Sequence, residues 1–421
     1  MKFIHCADIH LDSPLVGLSA QDGAPVDLLR GATRRAFESL IALAETEAVD
    51  FVVIAGDLYD GDWRDFTTGL FFVQQMARLK RAAIPVFVVW GNHDAENRIT
   101  RRLPLPDNVT VFDPARAGTA TLPMLQVALH GQSFGQRDVT TNLAAAYPPP
   151  RRGWFNIGVL HTGLDGREGH ANYAPCDLAE LVGHGYDYWA LGHIHRREVL
   201  HEFPHIVFPG NIQGRHIRET GVKGCSLVMV EDGKVVAVEH RATDVLRWAA
   251  IDLDISGCDT LDAVLRRLRP VLTSALDQNE GRPLAARLTL RGPSRAQAAV
   301  LNARDGFLAA VQATALDCAG DQLWIEKVER IAAPGSDTAD LAARPDGLGA
   351  LVRAMAEIGA DPGFRADLAA ELAEISSRLP RDSHAATPDD GNAGDADAID
   401  AVIAEAMAMV MGRLMDHEPT P

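Results

Sequence analysis

The sequence predicts an α/β protein in which layered sheets are flanked by helices, followed by a small α+β domain and a helical C-terminal tail. Short apolar runs alternate with stretches of helical apolar spacing up to about residue 245, as in layered α/β proteins. A β-α-β-α-β pattern follows this region. The chain has 421 residues, 47% of them hydrophobic and 23% charged, which is a globular composition and too long for a single core.

The apolar runs of residues 1–245 predict buried strands. These strands cover residues 3–7, 51–54, 85–90, 109–112, 125–130, 155–160, 188–191, 206–209, 225–231 and 234–240. Apolar residues at helical spacing predict helices over residues 28–47 and 68–81. The last two strands meet at Asp232-Gly233, a dipeptide typical of a tight hairpin turn. Residues 1–245 are therefore expected to form one sheet-rich domain.

The remaining residues divide into four segments by composition. Residues 246–332 alternate strands and helices and have the size of a small α+β domain. Residues 333–379 are predicted to be helical, and residues 380–397 form a flexible acidic linker. Residues 398–421 contain an amphipathic helix, which either docks on this chain or binds a partner. The preceding linker favours the partner.

The net charge of −17 is unevenly distributed along the chain. Residues 334–421 contain 17 Asp and Glu against 6 Arg and no Lys. The acidity is therefore concentrated in the tail, and bound divalent metals would shift the field of the remaining chain toward positive potential. The net charge does not exclude nucleic acid as a partner.

The sequence contains no targeting feature that would place the protein in a membrane or outside the cell. No uncharged apolar run reaches the ~18 residues that span a bilayer, so no membrane partner is expected. The N-terminus enters a strand-like pattern directly and lacks the features of a secretory signal. The five cysteines are scattered and form no C-x-x-C pair, which predicts neither a disulfide framework nor a zinc knuckle. We therefore expect a cytoplasmic protein.

Side chains that bind metals follow five of the predicted strands. They lie in the motifs D-x-H at residues 8–10, G-D-x-x-D at 56–60, G-N-H-D at 91–94, a lone His161, and G-H-x-H at 192–195. Ligands of layered α/β sheets gather beyond the carboxyl ends of the strands, so these motifs are expected at one rim. Carboxylates, an amide oxygen and several imidazoles are too many ligands for one ion. They suit two divalent ions ~3.5–4 Å apart. Imidazoles favour Mn, Fe, Co or Zn over Mg or Ca, so the residues predict a binuclear metallohydrolase.

In this order, the motifs resemble those of the calcineurin-like metallophosphoesterases. The similarity is greatest to the DNA-repair exonuclease branch, the SbcD-type nuclease subunits, and within it to a bacterial YhaO-like subgroup. Residues 160–164, 186–193 and 208–216 carry that finer likeness. The resemblance covers residues 1–245 strongly and implies a β-sandwich flanked by helices. It covers residues 246–332 by architecture only, as a capping domain.

The resemblance implies a role for each motif residue. The first metal would be held by Asp8, His10 and His195, and the second by Asn92, His161 and His193, with Asp57 bridging both. His93 would be the catalytic histidine, and Asp94 would orient it. Archaeal and eukaryotic members often have His where this chain has Asp60, so the preference of those members for one DNA strand is not carried over to this chain. Two divalent ions, with Mn expected, would be the cofactors.

The loop at residues 214–218 follows the last strand of the predicted rim. Arg215, His216 and Arg218 could bind a substrate phosphate through their cationic groups, and an ordinary charged surface loop is the alternative. The histidines outside the motifs are expected to be structural or surface residues.

These observations favour a manganese-preferring two-metal phosphodiesterase that cleaves DNA as an exonuclease or endonuclease in repair. A hydroxide between the two ions would attack phosphorus while His93 assists. The resemblance also implies a homodimer and an ABC- or SMC-type ATPase partner bound through the C-terminal helices. The chain has no nucleotide-binding G-x-x-x-x-G-K-[ST] motif, so any dependence on ATP would come from that partner. Two alternatives stay open: a small-molecule phosphodiesterase or phosphatase on the same fold, and a non-catalytic DNA-end-binding subunit of an ATPase complex.

Overall fold

The computed structural model describes most of the chain. The described residues are 1–15, 29, 31–60, 66–96, 104–166, 172–292, 294, 296, 304–330, 342–378 and, near the C-terminus, 399, 400, 402, 403, 406, 407 and 410. They divide into two compact units, one within residues 1–247 and one from residue 248 onward. The predicted linker at 380–397 lies outside the described residues. So does most of the final predicted helix.

The first unit contains twelve strands and four α-helices in its described part. The strands are β1 Lys2–Cys6, β2 Phe51–Ala55, β3 Val86–Val89, β4 Val109–Val111, β5 Gly118–Leu122, β6 Val127–Gly131, β7 Phe155–His161, β8 Tyr188–Gly192, β9 Glu198–Glu202, β10 His205–Phe208, β11 Gly224–Glu231 and β12 Lys234–Ala242. The helices are α1 Ala32–Thr46, α2 Thr67–Arg81, α3 Asn92–Glu96 and α4 Leu178–Gly183.

These strands form two six-stranded sheets. The first has the order β12-β11-β1-β2-β3-β4, in which β1 to β4 run parallel and β11 and β12 pair antiparallel at one side. The second has the order β5-β6-β7-β8-β10-β9, with antiparallel edge strands on a parallel centre. The parallel strands give each sheet a rim of carboxyl ends, and the motif residues lie at that rim.

The two sheets pack face to face with helices on their outer faces. Alternate residues of β2 illustrate this, because Phe51 and Val53 join a core shared by both sheets while Val52 and Ile54 join a core with α1 and α2. A separate core on the outer face of the second sheet includes Leu181 of α4. The parallel strands are buried on both faces, which explains why their sequences are continuous apolar runs. The predicted layered α/β fold is confirmed.

The second unit contains a three-stranded sheet in the order β13-β14-β15. Its elements are β13 Arg247–Asp254, α5 Leu261–Asp277, β14 Leu284–Arg291, α6 Arg304–Ala319 and β15 Leu323–Arg330, followed by α7 Gly347–Ala360 and α8 Pro362–Arg378. Helix α5 buries Val264, Leu268 and Leu272 against the sheet residues. None of the helices in the described part of the chain combines the length and the hydrophobicity that a bilayer-spanning segment requires.

The edge strands β5 and β9 were not predicted from the sequence. Both consist of half-buried and exposed residues and contain no continuous apolar run. An edge strand buries little apolar surface, so its composition resembles that of a loop. The short helices α3 and α4 lacked a sequence prediction as well, because a turn or two of helix gives no measurable periodicity.

Candidate metal centre

The loops after β1 and β2 extend the parallel pairing of these strands beyond their ends. The backbone N–H of Asp8 donates to the carbonyl of Gly56 at 3.0 Å, and the N–H of His10 donates to that of Asp57 at 3.0 Å. Asp8, His10 and Asp57 have φ angles of +50°, +45° and +51°, a left-handed conformation that non-glycine residues seldom adopt. Such strain persists where the surrounding structure fixes it, and it concentrates at functional sites.

The predicted ligands of the first metal lie together. Atoms of Asp8, His10 and His195 all fall within 4.8 Å of one another. Nε2 of His10 lies 3.2 Å from Nε2 of His195, so two imidazole nitrogens face each other. The Asp8 carboxylate accepts the backbone N–H of His193 at 3.0 and 3.1 Å. That bond ties the β8 loop to the β1 loop.

The predicted ligands of the second metal form an adjacent group. Atoms of Asp57, His161 and His193 lie within 4.8 Å of one another, and all three residues are buried. Oδ1 of Asn92 is 3.0 Å from Nε2 of His161. The opposite ring nitrogen of His161 lies 2.9 Å from the carbonyl of Ala55. Because a carbonyl only accepts, Nδ1 of His161 carries a hydrogen and Nε2 faces the group.

Asp57 lies between the two groups. Its Oδ2 is 3.8 Å from Nε2 of His10 and 3.5 Å from Nε2 of His161. Its Oδ1 accepts the backbone N–H of His93 at 3.1 Å. A Cβ at Gly91 would lie 2.2 Å from this oxygen, which explains the glycine before Asn92. The carboxylate is placed where one oxygen can serve both groups.

The charges of the two groups fit divalent cations. Burial raises the pKa of Asp8, and the imidazoles of His195 and His161 oppose that rise. Burial would also raise the pKa of Asp57, but the neighbouring imidazoles outweigh it and hold this pKa well below its usual range. Burial acts to lower the pKa of His161, yet Asp57 raises it to about 9. A metal ion competes with that proton, so binding would release it. Buried carboxylates and facing imidazoles are the donors that Mn, Fe, Co and Zn accept.

His93 is oriented by a different carboxylate from the one predicted. Nδ1 of His93 lies 3.0 Å from Oδ1 of Asp60. Burial acts to lower the pKa of His93, but the hydrogen bond to Asp60 and the charges of Asp57 and Asp60 raise it above its ordinary value. The side chain is 31% exposed and faces the first group, with its ring centroid 5.0 Å from that of His10.

The expected pairing of Asp94 with His93 is corrected by these contacts. Asp94 is buried, and its oxygens accept the backbone N–H groups of Leu58, Tyr59 and Gly91 at 3.2, 2.9 and 2.9 Å. Its role in the structure is therefore to join the loops that follow β2 and β3. Burial and the charge of Asp57 raise the pKa of Asp94 to about 7.

The loop carrying Arg215, His216 and Arg218 lies beside the first group. The side chain of Arg215 is 13% exposed, and its Nη2 lies 3.3 Å from Oε1 of Glu219. Nε2 of His216 is 3.6 Å from the same oxygen, and Arg218 is exposed. The Arg215 charge is thus already neutralised by a carboxylate. Binding of a phosphate by these three residues stays a prediction.

Sequence reasoning missed two carboxylates of this centre, Asp60 as the partner of His93 and Glu219 as the partner of His195. Oε1 of Glu219 lies 2.6 Å from Nδ1 of His195. Burial acts to raise the pKa of Glu219, but Arg215 and His195 hold it well below its usual range. The available signal for Glu219 was an acidic residue close to the basic stretch at residues 215–218, and that pattern is common on surfaces.

Comparison with known proteins identifies the family. Residues 1–197 match the family described as calcineurin-like phosphoesterase. Residues 248–332 match the family described as metallophosphoesterase YhaO, middle domain. The chain is 36% identical over 318 residues to the uncharacterized metallophosphoesterase YhaO of Bacillus subtilis, covering 74% of this chain and 77% of that protein.

More distant relatives are described as DNA double-strand break repair protein Mre11. The Methanopyrus kandleri protein is 26% identical over 304 residues, covering 64% of this chain and 62% of the relative. The Aeropyrum pernix protein is 26% identical over 303 residues, covering 66% and 70%. The match to a crystal structure of a dimetal phosphatase from Danio rerio covers 55% of this chain and 93% of that protein, at 12% identity and with a TM-score of 0.34. By its match to YhaO and to the phosphoesterase family, the chain belongs to the calcineurin-like metallophosphoesterases.

Proposed function

We propose that this metallophosphoesterase is a manganese-preferring two-metal phosphodiesterase that cleaves DNA. The observation that carries the two-metal part is the position of Asp57, whose Oδ2 lies 3.8 Å from His10 and 3.5 Å from His161 in two adjacent groups of ligands. The family supports metal-dependent hydrolase activity. The choice of manganese rests on the imidazole-rich donor set.

The residues of the centre would have two kinds of role in phosphoester hydrolysis, binding the metal ions and donating a proton. When bound, two divalent ions activate water and neutralise charge on the phosphate. Asp8, His10 and His195 would hold one ion, Asn92, His161 and His193 the other, and Asp57 would be shared. His93, with its pKa raised and its Nδ1 against Asp60, can present a protonated Nε2 to the leaving oxygen or to a phosphate oxygen.

DNA as the substrate is supported by the Mre11 relatives and by a second folded unit after the phosphoesterase domain. We extend the proposal to a capping role for residues 246–332, to a homodimer and to an ABC- or SMC-type ATPase partner bound through the C-terminal helices. A cytoplasmic location rests on the five scattered cysteines, which are free in the structure.

The test is cleavage of end-labelled linear duplex DNA by the chain, stripped of metal and reloaded with Mn²⁺. His93→Gln serves as the matched inactive variant, and bis(p-nitrophenyl) phosphate serves as a small diester substrate. Stepwise loss of label by the wild type alone would support nuclease activity and reveal its direction. Internal cutting of circular DNA would indicate an endonuclease.

The other outcomes separate the alternatives. Hydrolysis of the small diester with intact DNA would contradict the nuclease assignment and favour a small-molecule phosphodiesterase. Two bound metals with neither substrate cleaved would contradict catalysis by the isolated chain and favour a DNA-end-binding subunit. Adding a cognate ATPase subunit then distinguishes an inactive chain from one that needs its partner.

A further inference from the structure

Glu219 lies in the loop between β10 and β11 and is 5% exposed. Its Oε1 is 2.6 Å from Nδ1 of His195, closer than Nη2 of Arg215, which lies 3.4 Å from the same nitrogen. An ionised carboxylate can only accept a hydrogen bond, so Nδ1 of His195 carries the hydrogen. The lone pair of His195 is therefore on Nε2, the atom that faces Nε2 of His10 at 3.2 Å.

The two oxygens of Glu219 have different partners. Oε2 accepts the backbone N–H of Arg215 at 2.7 Å and the side-chain amide of Asn211 at 2.9 Å, so it anchors the loop. Oε1 faces His195 and also lies 3.3 Å from Nη2 of Arg215. The guanidinium holds the carboxylate in place and balances its charge. Lys223 adds a second cation nearby, with its Nζ donating to the carbonyl of His195 at 3.0 Å.

We propose that Glu219 is a positioning residue that fixes His195 as an Nε2 ligand for the metal ion of the first group. The inference rests on the two-metal centre proposed above. A carboxylate that accepts the distal N–H of a metal-binding imidazole sets its tautomer and ring orientation and makes it a better donor. Loss of such a partner typically weakens metal binding about 10–100-fold.

The experiment measures Mn²⁺ affinity by calorimetry, with free Mn²⁺ followed by electron paramagnetic resonance, in the full chain. We expect Glu219→Gln to weaken one of the two sites about 10–100-fold and to leave the other unchanged. In a His195→Ala background the same substitution should change that affinity by less than about threefold, because the effect passes through His195. If Glu219→Gln does not fold, Glu219→Asp allows the same comparison.

Asn211→Ala is the matched control, because Asn211 contacts Oε2 and not Oε1. This variant should lower the melting temperature and leave both Mn²⁺ affinities unchanged. Three outcomes would overturn the positioning role. Glu219→Gln could leave both Mn²⁺ affinities unchanged, or Asn211→Ala could weaken Mn²⁺ binding as much as Glu219→Gln does. The effects of Glu219→Gln and His195→Ala on the affinity could also be additive. A wild type that binds fewer than two Mn²⁺ ions would instead contradict the two-metal centre.

Discussion

Nδ1 of His93 lies 3.0 Å from Oδ1 of Asp60, the second aspartate of the G-D-x-x-D motif. Asp60 also lies 3.7 Å from Nδ1 of His10 and 3.8 Å from Nη1 of Arg215. The second aspartate of the G-D-x-x-D motif therefore links the proposed catalytic histidine to the first group of ligands. Ligand atoms of His10, Asp60 and His93 also lie within 4.8 Å of one another, so the metal content of a His93 variant tests whether this histidine assists the reaction or binds an ion.

His93→Gln should keep both metals and lose turnover by about 10²–10⁴-fold, the usual size of a general-acid contribution. Asp60→Asn should have a smaller effect in the same direction, because it removes the charge that raises the pKa of His93. The measurement is kcat with bis(p-nitrophenyl) phosphate beside metal content by mass spectrometry. Loss of a metal in His93→Gln would show that His93 is a ligand.

Asp57→Asn should disturb both metals, whereas Asp8→Asn should disturb one. The reason is that Oδ2 of Asp57 lies near both ligand groups, while Asp8 belongs to the first. Equilibrium dialysis against Mn²⁺, followed by metal analysis, measures the stoichiometry of each variant. Two full sites in Asp57→Asn would contradict the bridging assignment. Removing metal from the wild type should lower its melting temperature, and Mn²⁺ at about 100 times the Kd of a site should restore ~2.7 kcal/mol for each ion bound.

Gly192→Ala should destabilise the phosphoesterase unit by about 1–3 kcal/mol or more, as overpacking of a core does. A Cβ at Gly192 would lie 1.9 Å from the carbonyl of Ala55, where the two sheets meet at the rim. Gly118→Ala is the control, since a Cβ there meets nothing within 4 Å and should change stability by less than about 0.5 kcal/mol. Urea unfolding measures both. Equal stability of the two variants would show that the sheets can separate at this point without cost.

His5 should make the protein less stable as the pH falls below about 6.5. Burial lowers the pKa of His5 to about 3, although the carbonyl of Leu191 raises it slightly. Between these two values the unfolded chain binds a proton that the folded chain does not. The free energy of unfolding therefore decreases as the pH is lowered, by up to ~1.4 kcal/mol per pH unit. Urea unfolding at about pH 7, 6 and 5 should therefore show a steeper loss in the wild type than in His5→Gln. If the wild type and His5→Gln lost stability equally as the pH is lowered, His5 would not be the group responsible.

The sequence predicted the positions of the buried parallel strands because each is covered on both faces and needs a continuous apolar run. Residues 51–54 were predicted, and β2 covers Phe51–Ala55. The motif residues were predictable for a related reason. Ligands placed directly after such strands must meet at the carboxyl rim, whatever the details of the loops.

The edge strands β5 and β9 and the roles of the carboxylates Asp60 and Glu219 could not be predicted in this way. The choice between Asp60 and Asp94 as the partner of His93 depends on how three loops pack, and the backbone N–H groups of Leu58, Tyr59 and Gly91 already occupy Asp94. The contact of Glu219 with His195 spans 24 residues and two different strand ends.

The sequence by itself determined the layered α/β class, the family and the identity of the residues at the rim, because periodicity and motif order are local properties of the chain. The tertiary structure decided which atoms face each other. It placed Oδ2 of Asp57 between His10 and His161, assigned Asp60 to His93, and brought Glu219 to His195. Hydrogen bonds act over about 3 Å, and only the folded arrangement of distant loops fixes distances on that scale.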